Sequence, residues 1–486
     1  MTALHSATDT NGLTGALDVT VRIGVFFDGT GNNRINSQIG ADCQAMAEIY
    51  KGAHIKECGG RHSDPNSSYS NDLTNIAKLA DCYCDQPIAR NDGQGLKVYQ
   101  AIYVSGVGTT SGGRDSFVSG QGFGRGNTGV VAKVCRSIKK IDGVLKAFAS
   151  HNPHHVIGAV EFDLFGFSRG AASARHLANE ILKQSRGALG PVLKQGRLPL
   201  ALGFSWASVR LKVIGLFETV AAVGGISDFG NVRDAVNARV NLFLPPGCAQ
   251  QVLHLVANDE HRRNFALNRV APDWPREIIL PGSHSDIGGG YPPQSVEVVS
   301  LTRPRRSLVS ANMPYDATDA WLQTHAELQT LDAQRWIDPD DESASLGVEC
   351  FERMAQRGPG MKSVVASVKL ERRVFGHLSR IYLRVMHALA CDEGVPFNAL
   401  ADNADLSLPP ELRGVAVKLI DYARGQGEYL TQEELRMLYR RYIHCSAHWN
   451  ASIGRRGALL DSLFLHAPAT DGRQHFLNIS QPGYPL

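Results

Sequence analysis

Gly166-Phe-Ser-Arg-Gly170 decides the fold that this sequence predicts, because it fits the pattern G-x-S-x-G between a strand and a helix. The apolar run that begins at His155 predicts a buried strand, and the small residues from Ala171 predict a helix up to Lys183. A strand that turns sharply into a helix lifts its apex side chain out of the sheet. The flanking positions must be glycine, because a Cβ there would strike the neighbouring backbone. Ser168, at the apex, is therefore the predicted nucleophile.

The composition is that of a soluble globular protein. The 486 residues are 43% hydrophobic and 20% charged, which is enough for one large domain or for two to three average ones. A formal net charge of +3 is too small to predict a nucleic-acid partner. Nine cysteines in no recognisable pattern indicate reduced thiols and synthesis in a cytoplasm. We expect no signal peptide and no membrane-spanning helix, so export would need another machine.

The order of the predicted elements indicates the fold class. Strands alternate with helices as far as residue 295, which predicts an α/β fold with a mainly parallel sheet and helices on both faces. Residues 1–18 are predicted to be flexible, and 19–295 to form a catalytic domain with a loop-rich insertion at 34–70. The predicted strands are Val19–Phe27, Leu96–Val104, the run from His155, Val209–Phe217 and Glu277–Leu280, and 251–267 is predicted to be helical.

Residues 296–486 are predicted to form a mostly helical region that caps the site or binds a membrane or a partner. The prolines and basic residues of 296–316 predict a linker, and helices are predicted near 317–332, 374–389, 411–422 and 431–443. The second of these helices has one apolar stripe and basic residues on its other sides. Such a helix can lie on an anionic membrane, although a packed helix with a solvated basic face is the more common arrangement.

A serine hydroxyl needs a base to take its proton and an acid to orient that base. His284 is the predicted base, because it lies in a glycine-rich loop just after a predicted strand. Glu218 directly follows a strand and is the first candidate for the acid, with Asp286 as its rival and Asp228 as a further alternative. We expect Asp286 to brace its own loop by accepting backbone hydrogen bonds. His448 and His466 are weaker candidates for the base or for a substrate contact, whereas His176 is expected to pack or cap its helix and His254 and His261 to be structural or surface residues.

The loop after the first predicted strand, Asp28-Gly-Thr-Gly-Asn-Asn33, predicts part of an oxyanion hole. The N–H of Gly29 or Thr30 would act together with the N–H of Arg169, and Asp28 would shape the loop. Binding of a nucleotide phosphate is the competing interpretation. It lacks support, because neither the rest of a dinucleotide fingerprint nor a Gly-Lys-Ser/Thr follows.

Four motifs together resemble those of the α/β-hydrolase family that includes the first subgroup of type VI secretion lipase effectors. The motifs span roughly residues 20–295 and are Phe27–Asn33, Gly166–Ala171, Phe217–Gly224 and His284–Tyr291. Ser168 matches the family nucleophile and His284 the family histidine. Glu218 stands at the acid position, where the family usually has aspartate, and its extra methylene changes the reach of the carboxylate.

The resemblance implies a serine hydrolase of phospholipase A type that needs no metal or cofactor. It also implies an antibacterial toxin, made in a bacterial cytoplasm without a signal peptide and acting on membrane phospholipid in the periplasm of a target cell. The expected partners are the secretion spike protein and a cognate immunity protein. Two other interpretations stay open: a soluble carboxylesterase with no toxic or membrane role, and a non-catalytic interaction protein on a decayed hydrolase domain.

Overall fold

The computed structural model describes residues 17–50, 68–111, 129–194, 196–221, 240–331, 333–355, 360–450 and 466–480. A seven-stranded sheet forms its centre. Its strands are β1 (Leu17–Phe27), β2 (Gln86–Asn91), β3 (Leu96–Val104), β4 (His155–Phe167), β5 (Val209–Phe217), β6 (Gln251–Ala257) and β8 (Glu277–Leu280). They lie in the order β2-β3-β1-β4-β5-β6-β8, and only β2 runs antiparallel to its neighbour. The predicted α/β fold with a mainly parallel sheet is confirmed.

Helices cover both faces of this sheet. The N-terminal helices are α1 (Arg34–Tyr50), α2 (Asn75–Cys82), α3 (Val130–His151), α4 (Arg169–Leu182) and α5 (His284–Gly288). Alternate residues of β1 point to opposite faces. Val21, Ile23 and Val25 belong to a core with α3 and α4, whereas Phe26 belongs to a second core on the other face with α2. Both faces of β1 are therefore buried, as expected of a central parallel strand.

Residues 295–374 contain a second, antiparallel sheet. Its strands are β9 (Ser295–Ser300), β10 (Arg305–Ser310), β11 (Ser345–Met354) and β12 (Met361–Val374), and β12 pairs with the other three. The prediction of a mostly helical region is therefore wrong for this part of the chain, and 296–316 is not simply a linker. β10 alternates half-buried and exposed residues along Arg-Arg-Ser-Leu-Val-Ser, so only one face of the strand is covered and polar residues fit it.

Beyond β12 the helical prediction holds. The helices α8 (Leu378–Asp392), α9 (Pro410–Ala423) and α10 (Gln432–Arg441) follow β12, whereas α6 (Asp319–Thr330) and α7 (Ala333–Trp336) lie earlier, between β10 and β11. The short strand β13 (His475–Phe476) pairs in parallel with β7 (Leu267–Asn268). The capping box of α10 is present, with Thr431 and Glu434 each bonding the other's backbone N–H.

The basic amphipathic helix of the sequence is α8, and it is buried. Ile381, Val385 and Leu389 lie in the core beneath the central sheet. Arg380 and Arg384 donate hydrogen bonds to backbone carbonyls of the 404–407 loop instead of facing water. This helix therefore packs within the protein and does not present a membrane-binding face.

Three further expectations differ from the structure. Gln251–Ala257 is a strand and not the start of a helix, because an apolar run that is buried on both sides has no diagnostic period. Arg34–Tyr50 of the predicted loop-rich insertion is helical. Cys43 is disulfide-bonded, whereas all thiols were expected to be reduced.

The predicted flexible segment 1–18 lies outside the described residues except for 17 and 18, which belong to β1. None of the described helices is long and apolar enough to cross a membrane.

A buried ion pair joins the two central strands. Arg22 of β1 donates to Asp163 of β4 through Nε at 2.7 Å and Nη2 at 2.9 Å, and the Tyr83 hydroxyl donates to the same carboxylate at 2.8 Å. Removing one partner of a buried pair leaves an uncompensated charge in the core. We expect Arg22→Met to lower the free energy of unfolding by about 3–5 kcal/mol, measured by urea denaturation.

Arg424→Met is the matched control, because Arg424 pairs with Asp392 at the surface with both side chains at least one-third exposed. Loss of an exposed pair costs about 1 kcal/mol or less. Equal effects of the two substitutions would show that the Arg22–Asp163 pair is not a determinant of stability.

Candidate active site

Ser168 stands at the turn between β4 and α4 with φ 56° and ψ −123°, a backbone conformation that a serine rarely adopts. Its N–H bonds to the carbonyl of Phe217 at 3.0 Å. A Cβ at Gly166 would lie 2.4 Å from the Gly170 carbonyl oxygen, and one at Gly170 would lie 2.2 Å from the Phe27 oxygen. The two glycines therefore have the steric reason that the pattern predicts, and Ser168 projects from a strained elbow.

Glu218 and His284 meet at the same edge of the sheet. Glu218 directly follows β5, and His284 opens α5 after β8. Glu218 Oε2 lies 2.9 Å from His284 Nδ1, and Oε1 accepts the N–H of Ala257 at 2.7 Å. A carboxylate on Nδ1 selects the tautomer with its proton there, which leaves Nε2 as the proton acceptor. Glu218 thus makes the direct contact with His284 Nδ1 that its predicted role as the acid requires.

Asp286 has other partners. Its carboxylate accepts the N–H and the hydroxyl of Ser283, at 2.8 Å and 2.9 Å. It also accepts the N–H of His444 at 3.0 Å and lies 2.7 Å from His444 Nδ1. The predicted bracing role of Asp286 agrees with these contacts. The sequence offered no signal for His444, which lies more than 150 positions away and stacks on Tyr291 with a ring separation of 3.7 Å.

Arg473, which the sequence did not single out, completes the surroundings of Glu218. Its guanidinium donates Nη1 to Oε1 at 3.1 Å and Nη2 to Oε2 at 2.7 Å. Burial alone would raise the pKa of Glu218, but the charge of Arg473 and the hydrogen bonds from His284 and Arg473 lower it to about 2. Glu218 is therefore ionised at neutral pH.

The His284 ring is enclosed by two aromatic side chains. Phe167 lies 4.7 Å away and Phe265 stands edge-on at 4.9 Å, measured between ring centroids. Burial lowers the pKa of His284, and its hydrogen bond to Glu218 opposes that shift only in part. The imidazole is therefore neutral at pH 7 and can accept a proton. No hydrogen bond joins it to the Ser168 hydroxyl among the described residues, and such bonds often tighten only when substrate binds.

A second buried carboxylate lies behind the histidine. Glu260 accepts a hydrogen bond from the backbone N–H of His284 at 3.3 Å and another from the Ser446 hydroxyl at 3.1 Å. Both of its oxygens also accept hydrogen bonds from the Arg262 guanidinium. Burial would raise the pKa of Glu260, but the charge and hydrogen bonds of Arg262 lower it well below its usual range. Its charge is thus paired, and Glu260 holds the start of α5 in place.

The loop after β1 distinguishes between the two predicted oxyanion donors. The Gly29 N–H already bonds to Asp28 Oδ1 at 2.7 Å, whereas the Thr30 N–H has no hydrogen bond within the described part of the chain. The Thr30 hydroxyl accepts Arg169 Nε at 2.7 Å, which ties the loop to the first turn of α4. Of the two backbone N–H groups, that of Thr30 is therefore the one without a hydrogen bond among the described residues.

Asp28 shapes this loop, as predicted. Besides the Gly29 N–H it accepts the hydroxyls of Thr74 at 2.6 Å and Tyr103 at 2.5 Å. Burial raises the pKa of Asp28 and these donors oppose the rise. The carboxylate therefore joins β1, β3 and the start of α2 at the sheet edge where Ser168 emerges.

The weaker candidates have other surroundings. His176 Nδ1 accepts the Asn241 N–H at 3.2 Å, and burial lowers its pKa to about 4. His254 lies on β6, with Nε2 accepting the Thr219 N–H at 3.1 Å. His448 and His466 stack on each other at 4.5 Å, and His261 is exposed. Asp228 lies outside the described residues. The described side chains include no cluster of three potential metal ligands.

Residues 199–312 match the family model described as "T6SS, Phospholipase effector Tle1-like, catalytic domain". This segment is therefore similar to the catalytic domain of Tle1-like phospholipase effectors of the type VI secretion system. It contains Glu218 and His284, whereas Ser168 precedes the matched residues. The Tle1-like match therefore includes both members of the acid–histidine pair.

One solved structure is similar over almost the whole chain. It is described as the structure of the Tle1 effector bound to the VgrG spike from the type 6 secretion system. The match covers 98% of each chain with 29% identity and a TM-score of 0.72. An uncharacterized protein from Pseudomonas aeruginosa matches more weakly, with 18% identity over 86% of this chain and 52% of its own, and a TM-score of 0.35. No curated protein matches the chain.

The two carboxylates near the site give a direct comparison. We expect Glu218→Gln to lower kcat on a soluble ester by about 10³–10⁴-fold, because an amide cannot stabilise the imidazolium and can select the wrong tautomer. Asp286→Asn should lower the melting temperature and reduce kcat much less, since its partners are Ser283 and His444. If Asp286→Asn were the more damaging change for kcat at equal stability, Asp286 would be the acid.

The pH dependence of activity follows from the buried histidine. His284 must be neutral to take a proton, and its pKa lies below the ordinary value of 6.5. As pH falls through that lowered pKa, the ring becomes protonated and loses its function as a base. We expect kcat/KM for a soluble ester to be level between about pH 7 and 8, with its acid-side midpoint below the ordinary histidine pKa. A midpoint above pH 7 would contradict this assignment.

Proposed function

We propose that the chain is a serine hydrolase with an α/β-hydrolase-like fold that cleaves an acyl ester of membrane phospholipid, as a phospholipase A does. The contact between Glu218 and His284 at 2.9 Å, at the sheet edge where Ser168 emerges from its elbow, is the observation that carries the proposal. The Tle1-like match supports phospholipid as the substrate class.

Each residue has a defined task in this mechanism. Ser168 attacks the ester carbonyl while His284 Nε2 takes the hydroxyl proton, and Glu218 stabilises the imidazolium that forms. The oxyanion of the tetrahedral intermediate is held by the backbone N–H groups of Arg169, at the start of α4, and Thr30. His284 then gives its proton to the leaving alcohol, and the acyl-enzyme is hydrolysed by water along the same path.

The biological setting follows the relatives. The similar Tle1 effector is bound to a VgrG spike, so we propose that this chain is also carried by a type VI spike and secreted. The periplasm of a target cell is the proposed place of action, since phospholipid is accessible there. A producer of such a lipase would need a cognate immunity protein, and we propose one as the second partner.

The test uses purified protein on phospholipid vesicles. We expect Ser168→Ala to reduce fatty-acid release by about 10⁴-fold or more, because no other group supplies the nucleophile. Ser173→Ala is the matched control. It removes a buried hydroxyl farther along the same helix, whose hydrogen bond among the described residues is to the Arg169 carbonyl at 2.9 Å, and activity should be retained.

Mass spectrometry of the products distinguishes the outcomes. Release of one fatty acid and a lysophospholipid is the expected result. Undiminished release by Ser168→Ala would disprove the mechanism. Hydrolysis of short soluble esters without any release from vesicles would instead identify a soluble carboxylesterase.

A further inference from the structure

Arg473 lies far from the catalytic motifs in the sequence but next to the catalytic acid in space. Its side chain is only 6% exposed, and its two Nη groups bind the two oxygens of Glu218 in a bidentate pair. Nε donates to the Phe265 carbonyl at 2.7 Å. The planar guanidinium thus has no freedom to turn away from the carboxylate, and Phe265 itself contacts the His284 ring.

The segment that carries Arg473 is held by backbone hydrogen bonds on both sides of it. The backbone N–H of Arg263 donates to the Ala467 carbonyl at 2.8 Å. The N–H groups of Leu267 and Arg269 likewise donate to the carbonyls of Gln474 and Phe476, at 2.9 Å and 2.8 Å. Further along, Asn478 bonds to the Leu244 carbonyl at 2.9 Å. Residues 466–480 therefore form a strap that is built into the catalytic domain.

We propose that Arg473 is a positioning residue, which holds the Glu218 carboxylate charged and aimed at His284, so that the 466–480 strap is a working part of the active site. This inference rests on the proposed function of Ser168, Glu218 and His284. Arg473 acts through Glu218 and has no direct part in the chemistry.

The length of the glutamate explains why a second anchor is needed. Glu218 is fully buried, and a glutamate has one more rotatable bond than the aspartate found in most such triads. Each of its oxygens has two donors: Ala257 N–H and Arg473 on Oε1, His284 and Arg473 on Oε2. Arg473 bridges both oxygens, and so fixes the plane of the carboxylate as well as its charge.

Apart from His284, the titratable groups described around Glu218 make no hydrogen bond to its carboxylate that could replace those of Arg473. His254 on β6, Arg262 before β7 and His475 on the strap interact with Glu218 only through space. Arg262 is already paired with Glu260. Among the described side chains, Arg473 is the one full positive charge that is hydrogen-bonded to the catalytic acid.

The first experiment compares Arg473→Met and Arg473→Lys on a soluble chromogenic ester. We expect Arg473→Met to lower kcat by about 10–100-fold with little change in KM, by analogy with the loss of groups that orient the ligands of a catalytic metal. Arg473→Lys, which keeps the charge, should retain more of the activity.

In Arg473→Met the acid limb of the profile of kcat against pH should move to higher pH. Burial raises the pKa of Glu218, and in this variant the neighbouring cation that opposes the rise is gone, so the pKa of Glu218 would increase.

The second experiment covers the possibility that these variants are merely destabilised. Arg473→Ala removes the guanidinium and leaves a space of its size, so added guanidinium chloride at tens of millimolar should raise kcat several-fold. Equal concentrations of sodium chloride and urea should have no such effect. The Arg263→Met variant serves as a matched control, since Arg263 lies on the backbone paired with the strap but its side chain is exposed. It should keep the parent kcat and pH profile.

The outcomes separate this inference from the proposed function. A fall in activity by the same factor at every pH, without rescue by guanidinium, would assign Arg473 a structural role only and overturn the proposal. That result would leave the triad untouched if Ser168→Ala is inactive. Full activity of Ser168→Ala would instead refute the triad itself, whatever Arg473 does.

Discussion

The charge on Glu218 is the constraint on which the proposed active site depends. A carboxylate with no exposed surface is unstable in its ionised form unless donors surround it. Those donors come from distant parts of the chain: the end of β6, the loop after β8, and the 466–480 strap. One buried charge thus draws its donors from three separate parts of the chain, the strap included.

The same principle separates the roles of the neighbouring acids. Glu218, Glu260 and Asp286 all lie within one small region, and each is assigned by its partners. Arg262 neutralises Glu260, and His444 with Ser283 occupies Asp286. Only Glu218 keeps an oxygen directed at Nδ1 of His284. The surrounding pairs thus fix the loop geometry and leave one carboxylate to act on the histidine.

The second sheet and the C-terminal chain also belong to this arrangement. α8, which looks in sequence like a surface helix, fills the core beneath the central sheet. Arg372 of β12 donates to the carbonyls of Tyr439 and Ile443, directly before His444. The C-terminal region therefore supports the loop that carries His284, and the buried Arg372 is an internal donor to its backbone carbonyls.

The sequence by itself determined the parallel sheet, and it predicted the elbow at Ser168 and Glu218 as the first of three candidate acids for His284. Each of these follows from local patterns: apolar runs, glycines with steric reasons, and residues at strand ends. It could not predict that Gln251–Ala257 is a strand, since a fully buried run has no period. Nor could it identify Arg473, His444 or the availability of the Thr30 N–H. These depend on contacts across some 140 to 255 positions, which only the tertiary fold brings within hydrogen-bond distance.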